Sequence, residues 1–392
     1  MKKITNIITI VLFLAILFGL SVAFVAMPDK SYSENEKRNL QTFPEFSLEN
    51  LLDGKFSSEI NEYFADQFPL RDAFVSIKAF AELSLLKGEN NGVLLGENET
   101  LAVRTFSIFK DRLNRTEGMD HFYNQSVVRQ LEALNKFAAE KAEVPVHVII
   151  PPRVIDVASE SFDYPSNVSV SLDALISETL SEDIYIPLSS VLKEKYSAGE
   201  YVYYRTDHHW TTLGAYYAYV EIMRSFGMED DIIPADKFTV NVAADDFYGT
   251  TWSKCGFTFV SPDTMEFWSL GNEDEFTTTI GERSFSGFYD MSYLETMDKY
   301  SAFISGTNDI TLVTNNTKTD RPVLLLPKDS FANSLVPFLA NHYEKITMVD
   351  MRYINADLNY FLDLSEYTQA LFMYNSVSFA TDETARKIQI TK

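Results

Sequence analysis

The first pattern along the chain is an uncharged apolar run over residues 7–27, which follows Lys2 and Lys3. A run of this length can span the hydrocarbon core of a bilayer. The preceding lysines place the N-terminus in the cytoplasm and the rest of the chain outside. Small residues near the end of the run make imperfect cleavage sites, so a secretory signal peptide is the competing interpretation. Because the run exceeds a usual signal core, we expect residues 1–28 to be an uncleaved, single-pass membrane anchor, and the protein to be secreted if this segment is cleaved.

A polar stretch and then a helical repeat follow. Residues 28–47 carry polar side chains and prolines, which is typical of a linker. From Leu48 to about Leu86, apolar residues recur at helical spacing, and Phe68-Pro69 interrupts the repeat. We therefore predict a linker and a helical region over residues 29–90, with two helices separated at the proline.

Short apolar runs that end abruptly characterise the rest of the chain. Such runs predict buried strands, and stretches with helical spacing lie between several of them. Strands are predicted at 146–152, 184–187, 322–327, 345–350 and 370–375, and helices at 120–142, 171–181 and 189–196. This alternation indicates an α/β sandwich with a mostly parallel central sheet over residues 91–392. Residues 235–320 show no sustained period, so we expect an insertion of β-hairpins and long loops there.

Composition narrows the class of partner. The chain has 392 residues, a formal net charge of -23 and 46% hydrophobic residues. The hydrophobic content supports a large core, whereas the negative charge argues against nucleic acid and other polyanions as partners. Cys255 is the only cysteine in the sequence. It therefore has no disulfide partner and no Cys-x-x-Cys metal motif, and a buried apolar role is expected for it.

Candidate chemistry concentrates in the segment Asp207-His208-His209-Trp210. Helical spacing begins directly after it, so the segment lies where a loop enters a helix, with Thr211 or Thr212 as the N-cap. The positive end of a helix disfavours an imidazolium and helps His209 to stay neutral and accept a proton. Asp207 is placed to orient the imidazole, as the acid of a catalytic triad does. The segment itself offers no nucleophile.

A candidate nucleophile follows one of the predicted strands. Ligands of open α/β sheets bind beyond the carboxyl ends of the strands, and Ser330 comes directly after the strand at 322–327. Ser330 can act as a nucleophile if His209 is its base, with the Ser330 N–H and the Asn375 side chain as oxyanion donors. A plain N-cap role for Ser330 and a turn role for Asn375 remain open. Further candidate binding residues are Arg352, Tyr353, Arg205, Tyr204, Trp210 and Arg153.

Taken together, these pieces resemble the SGNH (GDSL-type) hydrolase superfamily in a circularly permuted order. Starting at Lys328-Asp329-Ser330 and wrapping around the chain, the strand at 345–350 comes next, and then the strand ending at Asn375. The strand ending in Pro151-Pro152 and then Asp207 to His209 complete the cyclic order. This order is similar to that of the alginate O-acetyltransferases. The DHHW protein family is named for the residues found here at 207–210, and the chain is identified as a member of it. The resemblance implies a three-layer sandwich with Ser330, His209 and Asp207 as the catalytic residues.

Several positions depart from the superfamily pattern. Lys328 stands where the first glycine of Gly-Asp-Ser is expected, which places a charge in the turn. Arg352 or Tyr353 occupies the place of a glycine that would donate an N–H. One residue, instead of two, separates Asp207 from His209.

Two further segments need an interpretation. Pro337 falls inside the helix predicted after Ser330, where it is expected to cause a kink. Gly306-Thr307-Asn308-Asp309 copies a block of the superfamily, but its place in the chain breaks the cyclic order. We interpret that block as a coincidental turn.

The resemblance implies an extracytoplasmic, serine-dependent O-acyl (acetyl) transferase or esterase that acts on a cell-surface or secreted polysaccharide. Its partners would be a polysaccharide acceptor and an acyl donor, the latter supplied for example by a membrane acyltransferase, with no cofactor and no metal. The alternative is a catalytically inactive relative that binds polysaccharide or serves as a scaffold. A third interpretation is a metal phosphoesterase, because Asp207-His208-His209 matches an Asp-His-His string. That chemistry needs further ligand clusters, and His121, His147 and His342 are isolated in the sequence.

Overall fold

A computed structural model of the protein describes residues 2–33, 38–103, 117–141, 143–162, 172–354, 356–382 and 387. The predicted helix limits at 142 and 171 and the side chain of His121 fall outside these described parts. The chain forms two compact units. One comprises Met1–Asn90 with Ser253–Phe259, and the other comprises Asn91–Trp252 with Val260–Lys392. The division into residues 1–28, 29–90 and 91–392 stays a prediction, because two compact units do not show which parts of the chain fold independently.

The N-terminal unit is mainly helical. Its helices are α1 (Lys2–Ala26), α2 (Leu48–Leu52), α3 (Lys55–Asp66) and α4 (Arg71–Ser84). Its strands are β1 (Tyr32–Ser33), β2 (Arg38–Asn39) and β3 (Glu89–Asn90), of which β1 and β2 pair antiparallel. Helix α1 is long and apolar enough over Lys3–Ala26 to cross a membrane. Pro69 separates α3 from α4, at the interruption predicted from the sequence.

The second unit combines helices and strands. Its helices are α5 (Glu117–Glu140), α6 (Val154–Val157), α7 (Leu172–Thr179), α8 (Ser189–Ser197), α9 (Thr212–Ser225), α10 (Thr250–Cys255, whose last residues belong to the N-terminal unit), α11 (Val336–Leu339), α12 (Leu358–Phe361) and α13 (Ser376–Thr381). Its strands are β4 (Val93–Leu95), β5 (Leu101–Val103), β6 (Val146–Ile149), β7 (Thr239–Phe247), β8 (Asp263–Ser269), β9 (Phe276–Ile280), β10 (Arg283–Ser286), β11 (Ile310–Asn315), β12 (Val323–Pro327), β13 (Lys345–Val349) and β14 (Gln369–Met373).

A seven-stranded sheet organises this unit, in the order β10-β9-β11-β13-β12-β14-β6. Strands β13, β12, β14 and β6 run parallel, whereas β11, β9 and β10 are added antiparallel at the β13 side. The sheet is therefore mixed, and the prediction of a mostly parallel sheet is wrong for this half. The insertion at 235–320 is the reason, because its hairpins extend the sheet.

Helices cover both faces of the sheet. Along β12 the side chains alternate, so Leu324 and Leu326 belong to one buried cluster and Leu325 to another. The first cluster includes Tyr219 and Ile222 of α9, and the second includes residues of α5 and α7. Strands buried on both faces explain the continuous apolar runs in the sequence.

Local predictions differ from the structure at two other places. The run at 184–187 forms only an isolated parallel bridge between Tyr185 and Val148, so it is not a full strand. Pro337 does not kink a helix. Residues Ser330–Ser334 form a 3-10 turn, and α11 begins only at Val336, which places Pro337 in its first turn. A proline is tolerated there because its missing N–H would have no helical acceptor.

Candidate active site

Ser330 lies just beyond the carboxyl end of β12. Lys328 still bridges to Met373 of β14, and the chain then turns at Asp329. The Asp329 carboxylate accepts the Phe331 N–H (3.0 Å) and so caps the 3-10 turn that Ser330 opens. Ser330 is itself half-buried, which leaves its hydroxyl at the edge of the sheet.

His209 and Ser330 are in hydrogen-bonding contact although 121 positions separate them. The His209 Nε2 and the Ser330 Oγ are 2.7 Å apart, and the His209 Nδ1 and the Asp207 Oδ1 are 2.5 Å apart. A carboxylate only accepts, so the Nδ1 carries the proton and the Nε2 is free to accept the serine proton. Ser330, His209 and Asp207 therefore form a continuous series with the geometry of a catalytic triad.

The shortened spacing between Asp207 and His209 is accommodated by a tight turn. The Asp207 Oδ1 accepts the backbone N–H of His209 (3.0 Å) as well as its ring N–H. The other carboxylate oxygen accepts the N–H (2.7 Å) and the hydroxyl (3.1 Å) of Thr250. Gly249 is required beside it, because a Cβ at that position would lie 2.2 Å from the Asp207 Cβ. Asp207 is thus buried with both oxygens satisfied, which fixes the imidazole.

Aromatic rings enclose the imidazole of His209. The ring of Tyr300 is stacked on it at 3.9 Å with an interplanar angle of 7°. The His208 ring lies at 3.8 Å and the Phe331 ring at 4.9 Å. The Tyr300 hydroxyl also donates to the Ser330 carbonyl oxygen (3.2 Å) and lies 3.1 Å from the Ser334 Oγ. Tyr300 thus contacts both the imidazole of His209 and the 3-10 turn at Ser330–Ser334, which is called the serine turn below. Sequence reasoning missed it, because it lies in the stretch that showed no period.

Three of the predicted binding residues near His209, namely Trp210, Tyr204 and Arg205, are engaged in contacts within the protein. Trp210 is fully buried, and its Nε1–H donates to the Phe331 carbonyl oxygen and the Ser334 Oγ, both at 3.1 Å. Tyr204 is buried among the rings of Phe247 and Tyr300. Neither ring is therefore an exposed platform for a sugar. Arg205 donates to the Pro262 carbonyl oxygen (2.7 Å) and to Asp263.

Asn375 is not the free oxyanion donor predicted from the sequence. Its Nδ2–H groups donate to the Asp329 Oδ2 (2.5 Å) and the Ser378 Oγ (3.0 Å), and its Oδ1 accepts the Val377 N–H. It is therefore the N-cap of α13 and also a support for the Asp329 turn. The turn interpretation of this residue describes its contacts better than the donor interpretation.

The remaining predicted binding residues lie at the same edge of the sheet but are engaged elsewhere. Arg352 is bidentate to Asp350, at 2.9 and 2.6 Å. Arg153 is paired with Asp156, and Tyr353 is 63% exposed. These side chains can reach a ligand only from the rim, since their polar atoms already serve neighbouring groups or solvent.

Lys328 is buried instead of projecting into the serine turn. Its Nζ donates to the Asn333 Oδ1 (2.9 Å), and the Asn333 Nδ2 donates to the Gly306 carbonyl oxygen (3.0 Å). Burial lowers the pKa of Lys328 to about 8, and the carboxylates of Asp350 and Asp329 oppose that shift. The Lys328 side chain, which stands where the superfamily pattern has a glycine, is thus buried beneath the turn that carries Ser330. It does not obstruct the Ser330 hydroxyl.

The block Gly306–Asp309 lies closer to the site than its place in the sequence suggests. Besides the Asn333 bond to Gly306, the Asp309 carbonyl oxygen accepts the Asp350 N–H (2.8 Å). Ile304, Ser305 and Gly306 all have positive φ, so the turn is sharply bent. The antiparallel addition of β11 brings this turn to the carboxyl ends of β12 and β13.

A metal phosphoesterase would need a second ligand cluster. Asp207, His208 and His209 have ligand atoms within 4.8 Å of one another, and they are the one such group found among the described residues. The oxygens of Asp207 already accept from His209 and Thr250, and the His208 Nδ1 is 2.7 Å from the Thr250 Oγ1. The site therefore fits acid-base work at Ser330 better than metal ligation.

The fold and the site define an α/β protein with a mixed central sheet and a Ser-His-Asp series at the carboxyl ends of its parallel strands. The family model described as DHHW protein matches residues 36–98 and 146–349, which is more than half of the chain. The chain belongs to the DHHW family, as the sequence predicted. No curated protein matches it.

Solved structures show the same fold. A DHHW family protein from Eubacterium siraeum is 21% identical with a TM-score of 0.56, over 68% of this chain and 90% of that chain. PatB1 from Bacillus cereus, solved with a sulfonyl adduct, is 20% identical with a TM-score of 0.55, over 67% of this chain and 92% of that chain. The O-acetyltransferase domain of AlgJ from Pseudomonas putida is a more distant match, with 13% identity and a TM-score of 0.44, over 74% of this chain and 92% of that chain. The first two likenesses establish the fold alone.

Proposed function

We propose that the protein is an extracytoplasmic, serine-dependent O-acyl (acetyl) transferase or esterase that acts on hydroxyls of a cell-surface or secreted polysaccharide. The observation that carries the proposal is the series of two hydrogen bonds from the Ser330 Oγ through His209 to Asp207. The net charge of -23 favours an acceptor that is not itself a polyanion.

The geometry supports a two-step transfer. In the first step the Ser330 Oγ attacks the acyl carbonyl while the His209 Nε2 takes the serine proton, and the same proton then goes to the leaving group. In the second step His209 deprotonates a sugar hydroxyl or a water molecule, which attacks the acyl-serine. The ester bond to the Ser330 Oγ then breaks, and the His209 Nε2 returns the proton to that oxygen, which releases the acylated sugar or the free acid. The Ser330 N–H donates to no acceptor among the described residues, which leaves it free for the oxyanion.

The choice between transfer and hydrolysis depends on how well the acyl-serine is kept from water. An acyl donor supplied by a membrane acyltransferase suits a protein held at the membrane by α1. The proposed architecture is a circularly permuted three-layer sandwich. The order of the site segments along the chain supports it, since Asp207 and His209 precede Ser330.

A direct test is acetyl release from p-nitrophenyl acetate by the detergent-solubilised full chain. We expect Ser330→Ala, His209→Ala and Asp207→Ala each to lower the rate by about 10³-fold or more, because removal of one member disables the series. Thr211→Ala is the matched control, since it changes the cap of α9 without touching the triad. Equal rates in all variants would end the proposal.

One observation favours the alternative of a catalytically inactive polysaccharide-binding protein. Asn375, which the sequence predicted as an oxyanion donor, is engaged with Asp329. Arg352 is one of the two residues in the place of a donor glycine, and its backbone N–H and its guanidinium are both engaged with Asp350. A serine-directed fluorophosphonate separates the two functions. Labelling that is lost in Ser330→Ala identifies an activated serine, whereas an unlabelled chain that still binds polysaccharide would establish the binding function.

A further inference from the structure

Helix α4 carries its apolar side chains on the outside. At 100° per residue, Phe74, Ile77 and Phe80 fall within one stripe about 120° wide, and Leu70 directly precedes the helix as its N-cap residue. All four are exposed, with Ile77 at 63% and Phe80 at 70%. In a surface helix of a soluble protein the apolar stripe faces the core. In α4 the stripe faces away from the rest of its unit.

The opposite side of α4 is the side that packs. Ala79 is buried, and Val75 lies so close to Gly256 that a Cβ on that glycine would be 2.7 Å from the Val75 Cγ1. The orientation of α4 is therefore fixed by contacts inside its own unit. Its exposed stripe is a consequence of that packing.

The stripe continues onto the preceding helix and its connection. Phe64 of α3 is 52% exposed, and the rings of Phe68 and Phe74 are in edge contact at 5.6 Å. Leu85 and Leu86 extend the surface beyond the end of α4 and are 75% and 95% exposed. An apolar surface of this extent is unusual on a soluble protein and indicates an interaction site.

The last turn of α1 packs against α3, and this contact indicates which environment the apolar surface faces. The ring of Phe24 is stacked on Phe64 at 5.3 Å and meets Tyr63 edge-on at 5.7 Å. Tyr63 also donates its hydroxyl to Asp29 (3.0 Å), which ties the segment after α1 to α3. If α1 spans a bilayer, its final turn lies at the level of the headgroups, and α3 lies there too.

We infer that the apolar surface formed by Phe64, Phe68, Leu70, Phe74, Ile77, Phe80, Leu85 and Leu86 lies in the extracytoplasmic surface of a lipid bilayer. Amphipathic helices that lie in this plane bury one apolar face and keep polar residues on the other. Arg71 and Lys78 flank the stripe on one side, where their charges can reach the headgroups. Apolar burial dominates the contact, because acidic residues outnumber basic ones in this part of the chain.

The inference rests on the proposed membrane anchor, and the test separates the two. Single cysteines are placed in the full chain by Leu14→Cys within α1, Ile77→Cys and Phe80→Cys on the stripe, and Asp72→Cys on the other side of α4 as the matched control. The native Cys255 is buried, and burial raises its pKa to about 11, so it is spared by a thiol-reactive nitroxide at neutral pH. The unsubstituted chain serves as the blank.

Each labelled protein is reconstituted into phosphatidylcholine vesicles, and collisions of the nitroxide with oxygen and with a water-soluble nickel chelate are measured. Oxygen concentrates in lipid, so the oxygen-to-nickel ratio should be several-fold higher at 14, 77 and 80 than at 72. A lipid value at 14 with an aqueous value at 77 and 80 would overturn the inference and leave the anchor intact. Aqueous values at all four positions would refute both. Low collision rates with both reagents at 77 and 80 would show that a second copy of the chain covers the stripe, which also overturns it.

Discussion

At the residue scale, the site depends on side chains that hold His209 and Ser330 without taking part in bond changes. Tyr300 is the main one, since it stacks on the imidazole and donates to the Ser330 carbonyl oxygen. Thr250 and Trp210 act similarly on Asp207 and on the serine turn. These contacts explain the burial of Tyr300 and Trp210.

We predict that Tyr300→Phe lowers the turnover number for p-nitrophenyl acetate only a few-fold, because the ring stack remains. Tyr300→Ala removes the stack as well, which at about 1 kcal/mol corresponds to roughly a further fivefold loss. The KM should stay unchanged in both, since Tyr300 is buried and stacks on His209. Thermal unfolding of each variant distinguishes misplacement of His209 from loss of the fold. Identical turnover in the Phe and Ala variants would contradict the role of the stack.

Lys328 gives a second residue-scale prediction. Its folded pKa of about 8 lies below the ordinary 10.5, so between these values the unfolded chain binds a proton that the folded chain does not. The native protein should therefore gain stability relative to Lys328→Met as the pH rises through this window, by up to about 3 kcal/mol. Urea unfolding of both proteins from pH 7 to 10.5 measures the difference. Parallel curves would mean that Lys328 titrates at its ordinary value.

At the element scale, the packing of α9 on the segment that follows α11 has its own pH dependence. The Ile233 N–H donates to the Tyr219 hydroxyl (2.9 Å), which in turn donates to the His342 Nε2 (2.8 Å). A neutral imidazole is required to accept this bond. Burial lowers the pKa of His342 to about 4 from the ordinary 6.5, while Asp231 acts in the opposite direction.

We expect stability from this contact to be complete above pH 6.5 and to be lost as the pH falls towards 4. The unfolded chain binds the proton first, so the total loss is about 3 kcal/mol. His342→Gln keeps an acceptor for Tyr219 but does not titrate, and its unfolding free energy should fall less over the same range. The comparison is made by urea unfolding at pH 4.5, 5.5 and 6.5. A variant as acid-sensitive as the native protein would contradict the assignment.

At the scale of the whole molecule, the proposed location depends on α1. If α1 is an uncleaved anchor, the protein stays in the membrane fraction after an alkaline carbonate wash, and mass spectrometry of the purified chain detects peptides from residues 4–26. A charge in the middle of the run is costly in hydrocarbon, so Leu14→Arg should release part of the protein from that fraction. Leu14→Ile is the neutral control. A chain that begins after residue 23 or 26 would identify a cleaved signal peptide instead.

Local patterns in the sequence determined the apolar run of α1, the break at Pro69, the strands β6, β12, β13 and β14, and the helix that follows Thr211. These features depend only on residues close together in the chain, because the spacing of apolar residues and helix capping both act over one or two turns. The family followed from the motif at 207–210 and the order of the segments. The proximity of Ser330 to His209 was predicted only because parallel strands bring their carboxyl ends to one edge.

Tertiary structure alone decided the rest. The antiparallel half of the sheet depends on pairings across the stretch 276–349, which no local period reveals. The stack of Tyr300 on His209, the burial of Lys328 and the engagement of Asn375 with Asp329 join residues far apart in sequence. The hydrogen-bond partner of a buried side chain depends on which polar atoms lie nearby without a partner of their own. The order of the strands and the course of the turns decide which atoms those are.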